Sequence, residues 1–222
     1  MVKAINRVNL VRTLRLYLVT DEASLRGRTL IDVVIAAARG GVTCVQLREK
    51  TLCTRDFVAK ALALKKALAP FGIPLVINDR MDVALACEAE GVHLGQSDMP
   101  PDIARRMLPE NVFIGWSVEN VDHLAQSKAL QDVGCVDYLG ISPVFFTETK
   151  SDIAKPWGLE GMRKVRQAST LPLVAIGGVN AGNAAELVSA GADGLAVVSA
   201  ICATSDPTQA ARELCKAIDG AL

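Results

Sequence analysis

Gln46, Arg48 and Lys50 stand at a spacing of two, directly after the apolar run 41–45. In an extended chain, residues i, i+2 and i+4 share one face, with successive side chains roughly 6 to 7 Å apart. An amide and two cations on one face are costly to bury unless something anionic meets them. A phosphate-bearing ligand meets them well, because it accepts several charge-assisted hydrogen bonds at once. Taken alone, the pentapeptide also fits a strand that runs out into solvent and is ended by Glu49 and Lys50.

Other residues of the same character recur along the chain. Asn78-Asp79 ends an apolar run, and Gln96 and Asp98 follow the next one. Asp79 and Asp98 could jointly hold Mg²⁺, which favours one or two carboxylates with phosphate oxygens and water completing its shell. The competing role for Asp79 is an N-cap for a helix beginning at Met81. Ser117 ends a fifth run, and Thr147, Thr149 and Lys150 follow a sixth. Gly177-Gly178 and Val198-Ser199 end the last two, where glycines let backbone N–H groups approach an anion. The Gly pair could instead be only a tight turn. Two separate groups of anion-seeking residues suggest two phosphate-bearing ligands. His93, inside a strand, reads as a core histidine, and His123, on a polar helix, as a solvated one.

To act together, these residues must come from elements that share one rim. Apolar strands at 14–20, 43–48, 75–78, 92–94, 112–117, 136–141, 173–176 and 194–198 alternate with helical patterns such as 30–39, 55–68, 158–168 and 207–218. Thr54 is placed to cap the second of these helices. Eight strand–helix units at a spacing of about thirty residues predict a (β/α)8 TIM barrel in a single domain, 1–222. Residues 1–13 form an N-terminal segment, expected as a short helix packing on the barrel. The structural alternative is an open eight-stranded sheet with helices on both faces. In a barrel, the loops after the strands build the active face, and the polar residues fall there.

Composition narrows the functions. Lys plus Arg and Asp plus Glu both total 24, so no global field argues for nucleic acid or an acidic membrane, and any anion site must be local. The six cysteines form no CxxC pair and no secretory h-region precedes them, so they read as reduced thiols of a cytoplasmic protein. No apolar run reaches the roughly 18 residues of a membrane span. There is no P-loop and no Ser-His-Asp order. The chemistry suggested is electrostatic, with a departing diphosphate.

From Leu16 to Ala217 the sequence resembles the thiamine-phosphate synthase family. The resemblance is carried by Leu16-Tyr17-Leu18-Val19-Thr20-Asp21, Gln46-Leu47-Arg48-Glu49-Lys50, Ile77-Asn78-Asp79-Arg80, Val92-His93-Leu94-Gly95-Gln96-Ser97-Asp98 and Ile114-Gly115-Trp116-Ser117. Thr147-Glu148-Thr149-Lys150, Ala175-Ile176-Gly177-Gly178-Val179 and Val197-Val198-Ser199-Ala200-Ile201 complete it. It implies a TIM-barrel enzyme joining hydroxymethylpyrimidine diphosphate to thiazole phosphate, with release of pyrophosphate. By this resemblance Gln46, Arg48, Lys50, Asn78, Ser117 and Lys150 form the pyrimidine diphosphate site, with Arg48, Lys50, Ser117 and Lys150 the catalytic group. Asp79 and Asp98 are implied as Mg²⁺ ligands, and Thr147, Thr149, Gly178, Val198 and Ser199 as the thiazole phosphate site. The expected partners are phosphorylated heterocycles and, for the chain itself, a homo-oligomer. Glu119 and Phe146 depart from the pattern, since many members have His and Pro there. Thiazole tautomerases share the barrel, but their histidine after the strand 6 glycine is missing, because Gly140 is followed by Ile141 and Ser142. A non-catalytic sensor of thiazole or thiamine phosphate is the third reading.

Overall fold

The computed structural model describes residues 7–147 and 155–221. Helix α1 (Arg7–Leu14) leads into β1 (Leu16–Val19), and helices and strands then alternate: α2 (Leu30–Gly40), β2 (Cys44–Leu47), α3 (Thr54–Leu68), β3 (Leu75–Asn78), α4 (Met81–Ala86), β4 (Gly91–Leu94). The series continues with α5 (Pro101–Met107), β5 (Phe113–Val118), α6 (Val121–Asp132), β6 (Tyr138–Ile141), α7 (Gly158–Ala168), β7 (Leu173–Ile176), α8 (Ala184–Ser189) and β8 (Gly194–Val197). A single turn, α9 (Ser199–Cys202), and α10 (Pro207–Asp219) follow. The strands pair in parallel and in chain order, and β8 returns to β1. That closure rules out the open sheet, which would leave two strands with an unpaired edge. The expected (β/α)8 barrel is what forms.

Alternation along each strand builds two apolar layers. Leu16, Leu18, Val45, Leu47, Ile77 and Leu195 face outward and pack against the helices. Tyr17, Val19, Cys44, Val76, Phe113 and Tyr138 face the barrel interior. Leu10 and Leu14 of α1 join that inner cluster, so the N-terminal helix closes one end of the barrel. The expected helix in the N-terminal segment is therefore present over Arg7–Leu14.

Room inside so small a barrel comes from glycine. A Cβ on Gly115 would lie 2.1 Å from the Tyr138 ring, and one on Gly91 would lie 2.4 Å from Phe113. Each large ring thus occupies the space beside a neighbouring strand's missing side chain. Gly115→Ala is expected to cost about 1–3 kcal/mol through overpacking. An unchanged urea midpoint in that variant would contradict this packing.

Two local expectations are corrected. Thr54 is the first residue of α3 and does not cap it: Cys53 is the N-cap, and the Thr54 hydroxyl instead accepts a hydrogen bond from Arg80 at 2.7 Å. The turn α9 was not anticipated, because four residues carry no helical period.

Candidate active site

A cavity of about 430 Å³ opens at the C-terminal ends of the strands, within the size range of small-molecule sites. Gln46, Arg48 and Lys50 all line it, but β2 ends at Leu47, short of the expected 43–48, so only Gln46 is placed by the strand and Arg48 and Lys50 reach the cavity from the loop just beyond it. Gln46 is buried at 5 % exposure, and the solvent-strand alternative fails at that residue. The Arg48 backbone N–H donates to Thr20 Oγ1 at 3.1 Å. Its guanidinium has no hydrogen-bond partner among the described residues, which leaves it available to a ligand.

Asn78 and Asp79 from β3 and Asp98 from the loop after β4 form the adjoining wall. The N-cap of α4 is Arg80, which makes no side-chain capping bond, so the capping role considered for Asp79 is not the one it takes. Its carboxylate Oδ2 instead accepts from Lys50 Nζ at 2.6 Å. Asp79 also adopts φ 62°, a left-handed conformation uncommon outside glycine and best tolerated by Asn and Asp. Asp98 Oδ2 accepts from the Gly95 N–H at 2.6 Å. Burial, and after it the hydrogen bond with Asp79, holds the Asp98 carboxyl above the usual carboxylate range. Two carboxylates brought together under a lysine form a pair that a cation relieves.

The opposite side of the cavity comes from β6 to β8. Val144 N–H donates to Ile176 O at 2.9 Å and Phe145 N–H to Gly177 O at 3.0 Å, stitching the β6 loop onto the end of β7. This brings Thr147 to the rim beside Gly178, Val198 and Ser199. Gly177 and Gly178 have φ 101° and 67°, and a Cβ on Gly178 would meet Phe146 O at 2.6 Å. Glycine is thus required twice over, by conformation and by crowding. Thr149 and Lys150 lie outside the described residues.

Of the two departures, Glu119 lines the cavity, whereas Phe146 is 65 % exposed on the loop beside it. Sequence reasoning missed Tyr17 and Tyr138, and it understated His93; all three line the cavity floor. Their inward phase on β1, β4 and β6 was the available signal, but a tyrosine in a strand ordinarily reads as packing. Every other predicted site residue among those described reaches this one cavity.

Fold and rim together define a TIM-barrel protein with a cavity at the C-terminal end of the barrel strands that is lined by both cations and carboxylates. A family model described as thiamine monophosphate synthase matches residues 16–201, and the chain belongs to that family. A thiamine-phosphate synthase of Albidiferax ferrireducens is 66% identical over 209 residues, covering 94% of each chain. One from Chloroflexus aurantiacus is 51% identical over 201 residues, covering 90% of each. Among solved structures, a thiamine phosphate pyrophosphorylase from Pyrococcus furiosus superposes with a TM-score of 0.86 at 36% identity, over 96% of this chain and 100% of the other. The chain is thereby an enzyme, a transferase of thiamine biosynthesis.

Proposed function

We propose that the protein couples 4-amino-2-methyl-5-hydroxymethylpyrimidine diphosphate to 4-methyl-5-hydroxyethylthiazole phosphate, giving thiamine monophosphate and pyrophosphate. One observation carries the reading: the cations just after β2 and the carboxylates just after β3 and β4 face a single cavity, with Lys50 Nζ 2.6 Å from Asp79, while a glycine-built corner lies across from them. That arrangement suits one diphosphate and one monophosphate, each with its own anchor.

In the proposed reaction the methylene C–O bond breaks and its electron pair leaves with the diphosphate. The thiazole nitrogen then supplies the pair for the new C–N bond. No side-chain nucleophile is needed. Arg48 and Lys50, with Lys150, neutralise charge that grows on the departing diphosphate, and Asn78 and Ser117 donate hydrogen bonds. Gln46 orients the aminopyrimidine, whose electron-rich ring supports the cation. Thr147, Thr149, Gly178, Val198 and Ser199 hold the thiazole phosphate, so that the nucleophile is presented in one orientation.

The carboxylate pair fits Mg²⁺. Asp79 and Asp98 are hard oxygen donors crowded enough to raise one carboxyl. Bound there with phosphate oxygens, Mg²⁺ would add positive charge beside the leaving group. The enzyme is read as cytoplasmic and acting on small phosphorylated heterocycles. Among the described residues no helix is long and apolar enough to cross a membrane.

The test is incubation of the protein with both heterocyclic phosphates and Mg²⁺, with mass detection of thiamine monophosphate. Product forming only when both substrates are present is expected. Folded protein that yields none would overturn the reading.

A further inference from the structure

Five polar side chains from five strands join into one line across the barrel floor, buried from Gln46 to Tyr138 and half-buried at His93 and Ser117. Gln46 Nε2 donates to the Tyr17 hydroxyl at 2.8 Å, and Tyr17 and Tyr138 hydroxyls lie 3.1 Å apart. The Tyr138 hydroxyl is 2.8 Å from His93 Nδ1, and His93 Nε2 is 3.0 Å from Ser117 Oγ. Only the two ends, Gln46 and Ser117, belong to the diphosphate-side group assigned above. Val19, Val76, Phe113 and Val174 are neighbours in the same cluster, with the Cys44 thiol against the Tyr17 hydroxyl as a weak polar neighbour.

The line has a direction. Both phenols are fully buried, and burial, followed in Tyr17 by the charge of Tyr138, pushes their pKa values well above the usual range, so each stays an O–H group. A hydroxyl has one hydrogen to give. Tyr17 accepts from Gln46 and passes its own hydrogen to Tyr138, which passes its hydrogen to His93 Nδ1. The imidazole is then the neutral tautomer with its hydrogen on Nε2, donating to Ser117 Oγ. Gln46 is left with its carbonyl oxygen and the second hydrogen of its amide nitrogen for a ligand, and Ser117 with its hydroxyl hydrogen. Turning the line around would flip the amide, so that its oxygen accepts from Tyr17 and its NH2 stands where the carbonyl had been, exchanging donor and acceptor toward the ligand.

The packing is arranged for this line. A Cβ on Gly115 would lie 2.3 Å from the Tyr138 hydroxyl oxygen, and one on Gly140 would lie 2.9 Å from His93 Cε1. Two strands thus give up side chains where the phenol and the imidazole meet.

We propose that Tyr17, Tyr138 and His93 are positioning residues whose one-way hydrogen-bond line fixes the Gln46 amide with its carbonyl oxygen and one N–H toward the ligand, and so selects a 4-aminopyrimidine over its 4-oxo analogue. An aminopyrimidine edge offers an exocyclic N–H beside a ring-nitrogen acceptor. The oxo analogue exchanges these roles and meets like with like. Sites built to hydrogen-bond a ligand reject a mismatched one strongly, because the buried groups are left unpaired. The inference rests on the pyrimidine-binding reading of this cavity.

The experiment compares the 4-amino and 4-oxo 2-methylpyrimidine monophosphates, which cannot couple, by calorimetric Kd in wild type, Tyr17→Phe and Tyr138→Phe. Wild type is expected to favour the amino form by about tenfold or more. Each variant, shown folded by its thermal transition, should compress that ratio to within about threefold, while the Kd of thiazole phosphate changes less than about twofold. A merely structural role would weaken both pyrimidines alike and leave the ratio in place, which would overturn the proposal. Nitrogen NMR of wild type supplies a readout that needs no variant to fold, and with two histidines in the chain the spectrum is simple. A neutral His93 with hydrogen on Nε2 supports the line; hydrogen on Nδ1 overturns it. If wild type binds neither pyrimidine, the functional reading fails and this inference with it. If wild type discriminates but the variants do so equally, only the inference fails.

Discussion

Arg48→Ala is expected to lower coupling turnover by about 10²–10³-fold, the usual loss when one preorganised donor to developing negative charge is removed. The thermal transition should stay close to that of wild type. The guanidinium lines the cavity without a hydrogen-bond partner among the described residues, and the bond the residue does make, to Thr20 Oγ1, uses backbone that alanine retains. Arg48→Lys should recover part of the loss, since it restores charge without the planar fork that grips two oxygens together. Single-turnover coupling with saturating pyrimidine diphosphate separates this effect from weaker binding. Near-wild-type turnover in the alanine variant would remove Arg48 from the diphosphate clamp.

Asp79→Asn and Asp98→Asn should each reduce activity on the order of 10²-fold or more, and excess chelator should silence the wild-type enzyme. Asparagine is the right replacement at both positions. At Asp79 it tolerates φ 62°, where a branched residue would be strained. At Asp98 its carbonyl can go on accepting from the Gly95 N–H, so the loop keeps its 2.6 Å hydrogen bond. What each change removes is one unit of charge and a hard oxygen ligand. Added Mg²⁺ should restore Asp98→Asn partly, with the half-saturating concentration shifted upward. Full activity in chelator would contradict the metal reading whatever the variants did.

These two experiments probe different sides of one electrostatic device. Lys50 bridges them, since it reaches Asp79 from the loop after β2 that also carries Arg48. With diphosphate and a cation bound, the same lysine would have new partners, and the Asp98 carboxyl would be relieved of the crowding that raises it. The glycine-built corner near Thr147 and Gly178 stands apart from this charge balance, as the anchor for a nucleophile should.

The strand and helix series, the rim that carries the cavity and most of the groups that meet there were legible in the residue pattern alone. The reason is periodicity: a strand repeats every two residues, so Gln46, Arg48 and Lys50 read onto one side, and they line one cavity although the strand itself ends at Leu47. The order of eight such units implied a barrel, and a barrel puts every strand's far end on one rim. Asp79 shows where local rules stop, because a carboxylate two residues before a helix reads equally well as a cap until the structure turns it toward Lys50. The line through Tyr17, Tyr138 and His93 lay beyond local reading altogether. Its central bond joins residues 121 positions apart and exists only because β8 closes onto β1, which brings β1 and β6 across a common interior. Whether a buried tyrosine is packing or part of a polar line depends on what stands opposite it, and that is decided by closure and by the absent side chains of Gly115 and Gly140.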